Sequence, residues 1–169
     1  GVPQKRERIY IVGFNPKIHF QYPEPLSYYK PLSDILEENV PENYYATKEL
    51  QKKRKEKVKK IPDGHSIWHE NIGGNISALP YSCALRAGGS YNYLLVDGVR
   101  RPTGREMLRL QGFDDDFIIN VPYTQIRRLA GNSVTVPVIK LLAKNIINAL
   151  DNNKKAVIPE QTELELHEF

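Results

Sequence analysis

Apolar positions fall into separate groups along the chain, and their spacing predicts its elements. Arg8–Phe14 gathers Ile9, Tyr10, Ile11, Val12 and Phe14, all β-forming, with Gly13 as the one weak position. So continuous a run suits a strand buried on both faces of a mostly parallel sheet. Asn15 to Pro25, punctuated by Pro16, Pro23 and Pro25, reads as loop. Leu32, Ile35 and Leu36 mark a short amphipathic helix, begun at Pro31 or capped by Ser33. Lys48–Lys60 is polar and helix-favouring, and Pro62-Asp63-Gly64 stops it. From His65 to Gly98 the texture changes to short strands, predicted at Ser66–Trp68, Tyr81–Leu85 and Tyr91–Val96. Gly73-Gly74-Asn75, Gly88-Gly89-Ser90 and Asp97-Gly98 break them, the last being a tight-turn signal.

Thr103 and Glu106 stand at capping-box spacing: the threonine can accept the free third-position amide, and the glutamate can reach back to the N-cap amide. Met107, Leu108 and Leu110 give the helix an apolar side, and Gly112 closes it. Asp114–Phe117 reads as loop. A helix from about Thr124 to Leu129 ends at Gly131, and Pro137 opens a last helix with Val138, Ile139, Leu142, Ile146 and Leu150 along one side. Residues after Asn152 read as a polar, poorly ordered tail.

A chain of 169 residues has the size of one domain, and 40% apolar content is enough for a core. There are no internal repeats. Apolar runs fall short of the roughly 18 residues that span a bilayer, so no membrane partner is expected. Cys83 is the single cysteine and cannot form an internal disulfide, which makes a reducing, cytoplasmic setting the default. The net charge of +4 permits a nucleic-acid partner without establishing one. Part of it is concentrated in Lys52, Lys53, Arg54, Lys55, Lys57, Lys59 and Lys60, opposed by Glu56 alone. That run is either a solvated face or a phosphate-binding one.

Three blocks carry a more specific signal. Pro3-Gln4-Lys5-Arg6-Glu7-Arg8 reads Q-x-R-x-R leading into the first predicted strand; residues 101–113 read R-x-x-x-x-E-x-x-R-L-Q-G-F; Ala130–Val134 reads A-G-N-S-V. In this order they resemble the eighth, ninth and tenth sequence blocks of the DNA cytosine-5 methyltransferases. Relatives usually carry proline where this chain has Asp114, a departure that leaves the helix assignment intact. The texture of Trp68–Asn71 and Ala84–Gly88 resembles enzymes of bacterial restriction–modification systems.

The resemblance implies an α/β fold: the C-terminal portion of a Rossmann-like methyltransferase, contributing an edge strand and the last helix, with an inserted small mixed α+β target-recognition domain. Residues 1–19 would belong to the catalytic domain, 20–123 to the recognition domain with the R-L-Q-G-F helix, 124–151 to the catalytic domain again, and 152–169 to the tail. The family's earlier blocks, a Gly-rich cofactor turn, a Pro-Cys nucleophile loop and an acidic Glu-Asn-Val strand, are expected outside this chain. The chain alone is therefore expected to be inactive, a part of a longer enzyme or the smaller chain of a split one, joined by a missing N-terminal portion or partner subunit. Exposed apolar ends would also allow self-association.

The family's chemistry flips the cytosine out of the duplex, adds a cysteine thiolate to carbon 6, and lets carbon 5 take the methyl of S-adenosylmethionine. By resemblance, Arg8 would hold the flipped cytosine and Arg6 its phosphate surroundings, with Gln4 beside them on the DNA. Residues two apart on a strand share a face, which would aim both arginines at one site; a basic, solvated strand start is the plainer reading. Asn132 and Ser133 match the turn beside the methyl donor. Arg86, Ser90, Tyr91 and Asn92 are the candidates for base edges in the major groove of double-stranded DNA, and Lys53 and Arg54 for phosphates. Glu38-Asn39-Val40 copies the letters of the acidic block but follows Q-x-R-x-R and precedes Pro41, so a helix end is expected there. Cys83 follows Ser82 and not proline, and reads as a small packed side chain; many relatives carry a phosphate-touching threonine at this point. Two alternatives stay open: a DNA-binding module that never methylates, and the smaller subunit of a split methyltransferase.

Overall fold

The computed structural model describes residues 1–14, 18–28 and 30–157, with side chains as far as Asn153. Contacts divide the chain into two compact units, Gly1–Ile9 with Leu26–Ile139, and Tyr10–Pro25 with the chain from Lys140 onward.

The first unit is built on an antiparallel sheet of order β3-β2-β5, formed by β2 (Ile67–Glu70), β3 (Ile76–Leu79) and β5 (Leu94–Val96). Trp68 lies opposite both Ala78 and Leu95. Successive residues of a strand point to opposite faces, and here both faces are covered. Ile67, Leu94 and Val96 pack with Met107, Leu108 and Leu110 of α2 (Gly104–Leu110) and with Ile126 and Ala130 of α3 (Tyr123–Asn132). On the other face Trp68, Leu95, Ile76 and Ala78 pack with Leu50 of α1 (Lys48–Lys57) and Val58 at its end. Burying one such side chain contributes roughly 1.5–3 kcal/mol. The sheet is thus the middle of three layers.

Local chemistry fixes the joints. Thr47 caps α1 by accepting from the Leu50 amide, and the β2–β3 hairpin closes through Asn71 and Asn75. Asp97 and Gly98 both take positive φ, in the turn predicted there, and let the Val96 amide reach the Arg100 carbonyl at 2.7 Å. The Thr103–Glu106 capping box forms as predicted. Gln111 is fully buried and clamps three helices. Its side chain donates to the Ala130 carbonyl at the end of α3, and its own carbonyl accepts the Val136 amide at the start of α4 (Val136–Val157). Gly112, at φ +81°, lies so near Pro137 that a Cβ would come within 2.4 Å of its ring.

Several expectations are corrected. Arg8–Phe14 takes no regular secondary structure and is not a strand. Only β1 (Gln4–Lys5) pairs, in parallel with β4 (Ser82–Cys83), and Ile9 and Ile11 are 90% and 91% exposed. A strand exists by its neighbours' hydrogen bonds, and among the described residues none flanks this segment. Leu32–Asp34 is a single 3-10 turn entered from Pro31, which still buries Leu32 and Ile35. Glu38-Asn39-Val40 lies just past that turn and is not a strand. β3 was not predicted, β5 starts only at Leu94, and α3 continues through Gly131 to Asn132. The loop predicted for Asn15–Pro25 lies outside the described residues at 15–17 and is irregular from 18 on. α4 runs past Asn152 to Val157, and the rest of the predicted tail lies outside the described residues. By length and composition Tyr123–Asn153 would pass as a membrane-crossing helix. It consists of two helices broken at Ser133–Thr135, with Lys140, Lys144 and Asp151 along the second.

In the second unit, Phe20 packs its ring against Phe14 and Tyr22, the Tyr22 hydroxyl donates to the Tyr10 carbonyl, and the Asn145 carboxamide donates to the Gln21 carbonyl.

Candidate functional site

Arg6 joins three segments that are far apart in sequence. Its Nη1 donates to the Leu85 carbonyl at 3.3 Å, and its Nη2 donates to those of Gly131 at 3.1 Å and Ser133 at 2.7 Å. The Q-x-R-x-R, Leu85-Arg86 and G-N-S segments thereby become one block. Gln4 is tied into it by donation to the Leu110 carbonyl and by its β1 pairing. Gly131 completes the joint, since a Cβ there would lie 2.5 Å from the Ala87 nitrogen. Arg8, two residues on, is exposed, and its guanidinium donates to the neighbouring Glu7 carbonyl. The two arginines therefore differ: Arg6 is spent on the fold and Arg8 points its charge outward.

Asn132 is exposed at the end of α3 and presents a carboxamide able to donate and to accept. The Ser133 hydroxyl is engaged with the Ala130 carbonyl and holds the turn. Asn132 thus keeps a donor and an acceptor that could meet a polar edge of a cofactor, whereas the Ser133 hydroxyl is turned into the fold.

The segment Arg86–Asn92 leaves the sheet at the same end as the β2–β3 hairpin, because β2 and β5 run antiparallel and Glu70 bonds Tyr93. Arg86 is exposed, with its guanidinium 4.7 Å from the centre of the Tyr93 ring and 3.2 Å from His69 Nε2. Ser90 and Tyr91 are exposed, and the Asn92 carboxamide oxygen accepts from Arg101 at 3.4 Å. Burial, then the charges of Arg86 and Arg54, hold the His69 pKa below its ordinary value, against the opposing pull of Glu70. Four candidates from the sequence are thus brought together on one rim, with Lys53 exposed on α1.

Arg54 is corrected. It is 2% exposed, with its guanidinium on Glu70 at 2.8 Å and on the Asn92 carbonyl, so it supports the loop from inside and meets no phosphate. A basic run on a helix cannot keep every member outside, and the sequence alone did not say which one turns in. Cys83 is half-buried, and burial pushes its thiol pKa up, the reverse of what activates a nucleophile.

Ile72, Arg101 and Arg127 were not among the DNA-facing candidates from the sequence. The hairpin tip presents Ile72, 98% exposed, between Asn71 and Gly73, while Lys57 reaches the Gly74 carbonyl. Arg101 and Arg127 converge on Tyr91, at 4.4 and 5.0 Å from its ring centre. The placement of the two arginines shows only in contacts between distant segments.

Residues 1–148 match the family model described as C-5 cytosine-specific DNA methylase. The chain is 61% identical over 159 residues to the Type II methyltransferase M.NgoBI of Neisseria gonorrhoeae, covering 92% of this chain and 50% of that protein. It is equally identical over 153 residues to M.HaeII of Haemophilus aegyptius, covering 89% and 48%. The chain therefore spans about half the length of these relatives. The solved Dnmt2 methyltransferase of S. pombe superposes with a TM-score of 0.47 at 22% identity, over 72% of this chain and 43% of that one.

Proposed function

The chain belongs to the C-5 cytosine-specific DNA methylases, and from that membership we propose that it supplies the DNA-recognition face and one wall of the active site of an enzyme methylating carbon 5 of cytosine in duplex DNA. The setting would be a bacterial, cytoplasmic restriction–modification system. The observation that carries this reading is the Arg6 joint, which builds the exposed Arg86–Asn92 rim and the Asn132–Ser133 turn on one block. Recognition and catalysis both need such fixed geometry.

In this reading Arg8 holds the extruded cytosine, and its cation offsets charge that develops on the ring. Arg6 holds the arm that carries Arg8, and the proposed phosphate contact of Arg6 depends on whatever capacity its fold contacts leave. Asn132 meets the cofactor, which supplies the methyl group. Arg86, Ser90, Tyr91 and Asn92, with Ile72 on the hairpin tip, face the base pairs, and the exposed Lys53 faces phosphates. The domain boundaries at 19, 123 and 151 follow the same division between catalytic and recognition parts, with the Rossmann-like remainder supplied by other sequence or by a partner chain.

The test is reconstitution: the chain is mixed with the N-terminal half of M.HaeII, duplex DNA and labelled S-adenosylmethionine. Neither half alone should transfer methyl, and the mixture should. Arg8→Ala should then lower transfer on the order of a hundredfold while DNA binding changes little, and Cys83→Ser should leave transfer unchanged. Transfer by the chain alone would overturn this division of labour. DNA binding with no transfer in a folded mixture would favour the non-catalytic binding module.

A further inference from the structure

We infer that Arg127 is a positioning residue for DNA recognition: from α3 it holds the Gly89–Asn92 loop in the shape that meets the bases, without itself touching the DNA. This rests on the reading of that loop as the DNA-facing rim. Arg127 is half-buried. Its Nη2 donates to the carbonyls of Gly89 at 3.0 Å and Ser90 at 2.9 Å, and its guanidinium lies 5.0 Å from the ring centre of Tyr91 and 5.8 Å from that of Tyr123. Two adjacent carbonyls aimed at one point need a donor between them, and the guanidinium bonds both while lying over the Tyr91 ring.

The rest of the loop is shaped for the same clamp. Gly89 lies so close to Tyr93 that a Cβ would come within 2.7 Å of its ring. The Tyr93 hydroxyl accepts the Arg86 amide at 2.9 Å, and Arg101 covers Tyr91 and holds the Asn92 side chain. Four residues later on α3, Gly131 meets Ala87 at the other end of the loop. Arg127 and Gly131 thus grip the loop from neighbouring turns of one helix, the helix that ends in Asn132. A loop fixed before binding loses less freedom on the DNA and penalises wrong bases more sharply.

The test uses the 169-residue chain and a pool of duplexes randomised at their central base pairs. Wild type enriches a subset of sequences. Arg127→Lys keeps the charge but should lose the stack and the fixed double contact. Hydrogen exchange should quicken in Gly88–Asn92, and preference for the enriched duplexes over the unselected pool should fall about tenfold. In Arg127→Gln, which removes the charge, the salt dependence should stay unchanged, because a lost phosphate contact would reduce its slope by roughly 0.9. Its preference should fall further than that of Arg127→Lys; if Arg127→Gln fails to fold, exchange and preference in Arg127→Lys carry the test. A reduced salt slope would make Arg127 a phosphate contact and overturn the inference. Preference equal to wild type in Arg127→Lys would overturn it too while leaving the DNA reading intact. A wild type that enriches nothing would end the DNA reading of the rim and this role together, even where exchange shows that the clamp exists.

Discussion

On the rim, His69 is held below its ordinary pKa by its surroundings. It lies on β2, edge-on to Tyr93 at 6.3 Å, with Nε2 facing Arg86 and with Arg54 and Glu70 beside it. Accepting from Arg86 requires a neutral ring with its proton on Nδ1. Burial comes first among the causes that depress its pKa, followed by the two arginines. The unfolded chain, with an ordinary value near 6.5, therefore takes up the proton before the folded chain does. Stability from neutral His69 is complete above about 6.5 and is lost as pH falls through the depressed folded value. Urea midpoints measured from neutral to mildly acid pH should drop, and His69→Gln should flatten that part of the profile. Identical profiles would mean that the ring is freely solvated. The sequence pointed to Arg86 but not to this partner, because a lone histidine between Trp68 and Glu70 has no local signature.

At the scale of elements, patterns held within a few residues of chain were legible. The Thr103–Glu106 box, the Asp97-Gly98 turn, Pro137 at the start of α4 and the helix around Arg54 were all readable from sequence, because each depends on local hydrogen bonds or backbone preference. The arrangements that depend on distant partners were not. Glu106 is one: besides closing its box it is fully buried, accepts both terminal nitrogens of Arg100 at 2.7 and 2.8 Å, and takes the Glu37 amide at 2.8 Å. The turn after Ile35 is thereby bonded to α2. Burial opposes the Arg100 charge, yet the bonds and charge of Glu106 outweigh it and raise the Arg100 pKa. Arg100→Met strands the carboxylate, and losing one partner of a buried pair costs about 3–5 kcal/mol. Urea unfolding should show a loss of that size, and a loss below about 1 kcal/mol would mean that water reaches Glu106. β3 escaped for the same reason: Ile76, Ala78 and the polar Ser77 make a strand only because β2 lies alongside.

For the molecule as a whole, the family blocks were legible as motifs, yet their joining through Arg6 was not, since an arginine's carbonyl partners 79 to 127 residues away leave no mark on its neighbours. The reading of Ile9–Phe14 as a buried strand assumed a layer that the described residues do not contain. What the segment keeps is its apolar character, with Ile9 and Ile11 in water, and α4 likewise exposes Ile147 and Leu150. At about 25 cal/mol per Å², covering such side chains would recover a sizeable part of a small domain's roughly 5–15 kcal/mol margin. Hydrogen exchange on the isolated chain should therefore be slow in Ile67–Glu70 and Leu94–Val96, where the sheet is covered on both faces. It should be fast in Ile9–Phe14, and faster in Ile139–Leu150 than in α2. Adding the N-terminal half of M.HaeII should slow both ends and leave the sheet unchanged. If both ends were already protected in a proven monomer, they would need no further layer, and the complementing half would have to bind elsewhere. If protection at the ends instead rose with protein concentration alone, the exposed apolar surface would be closing on a second copy of the chain.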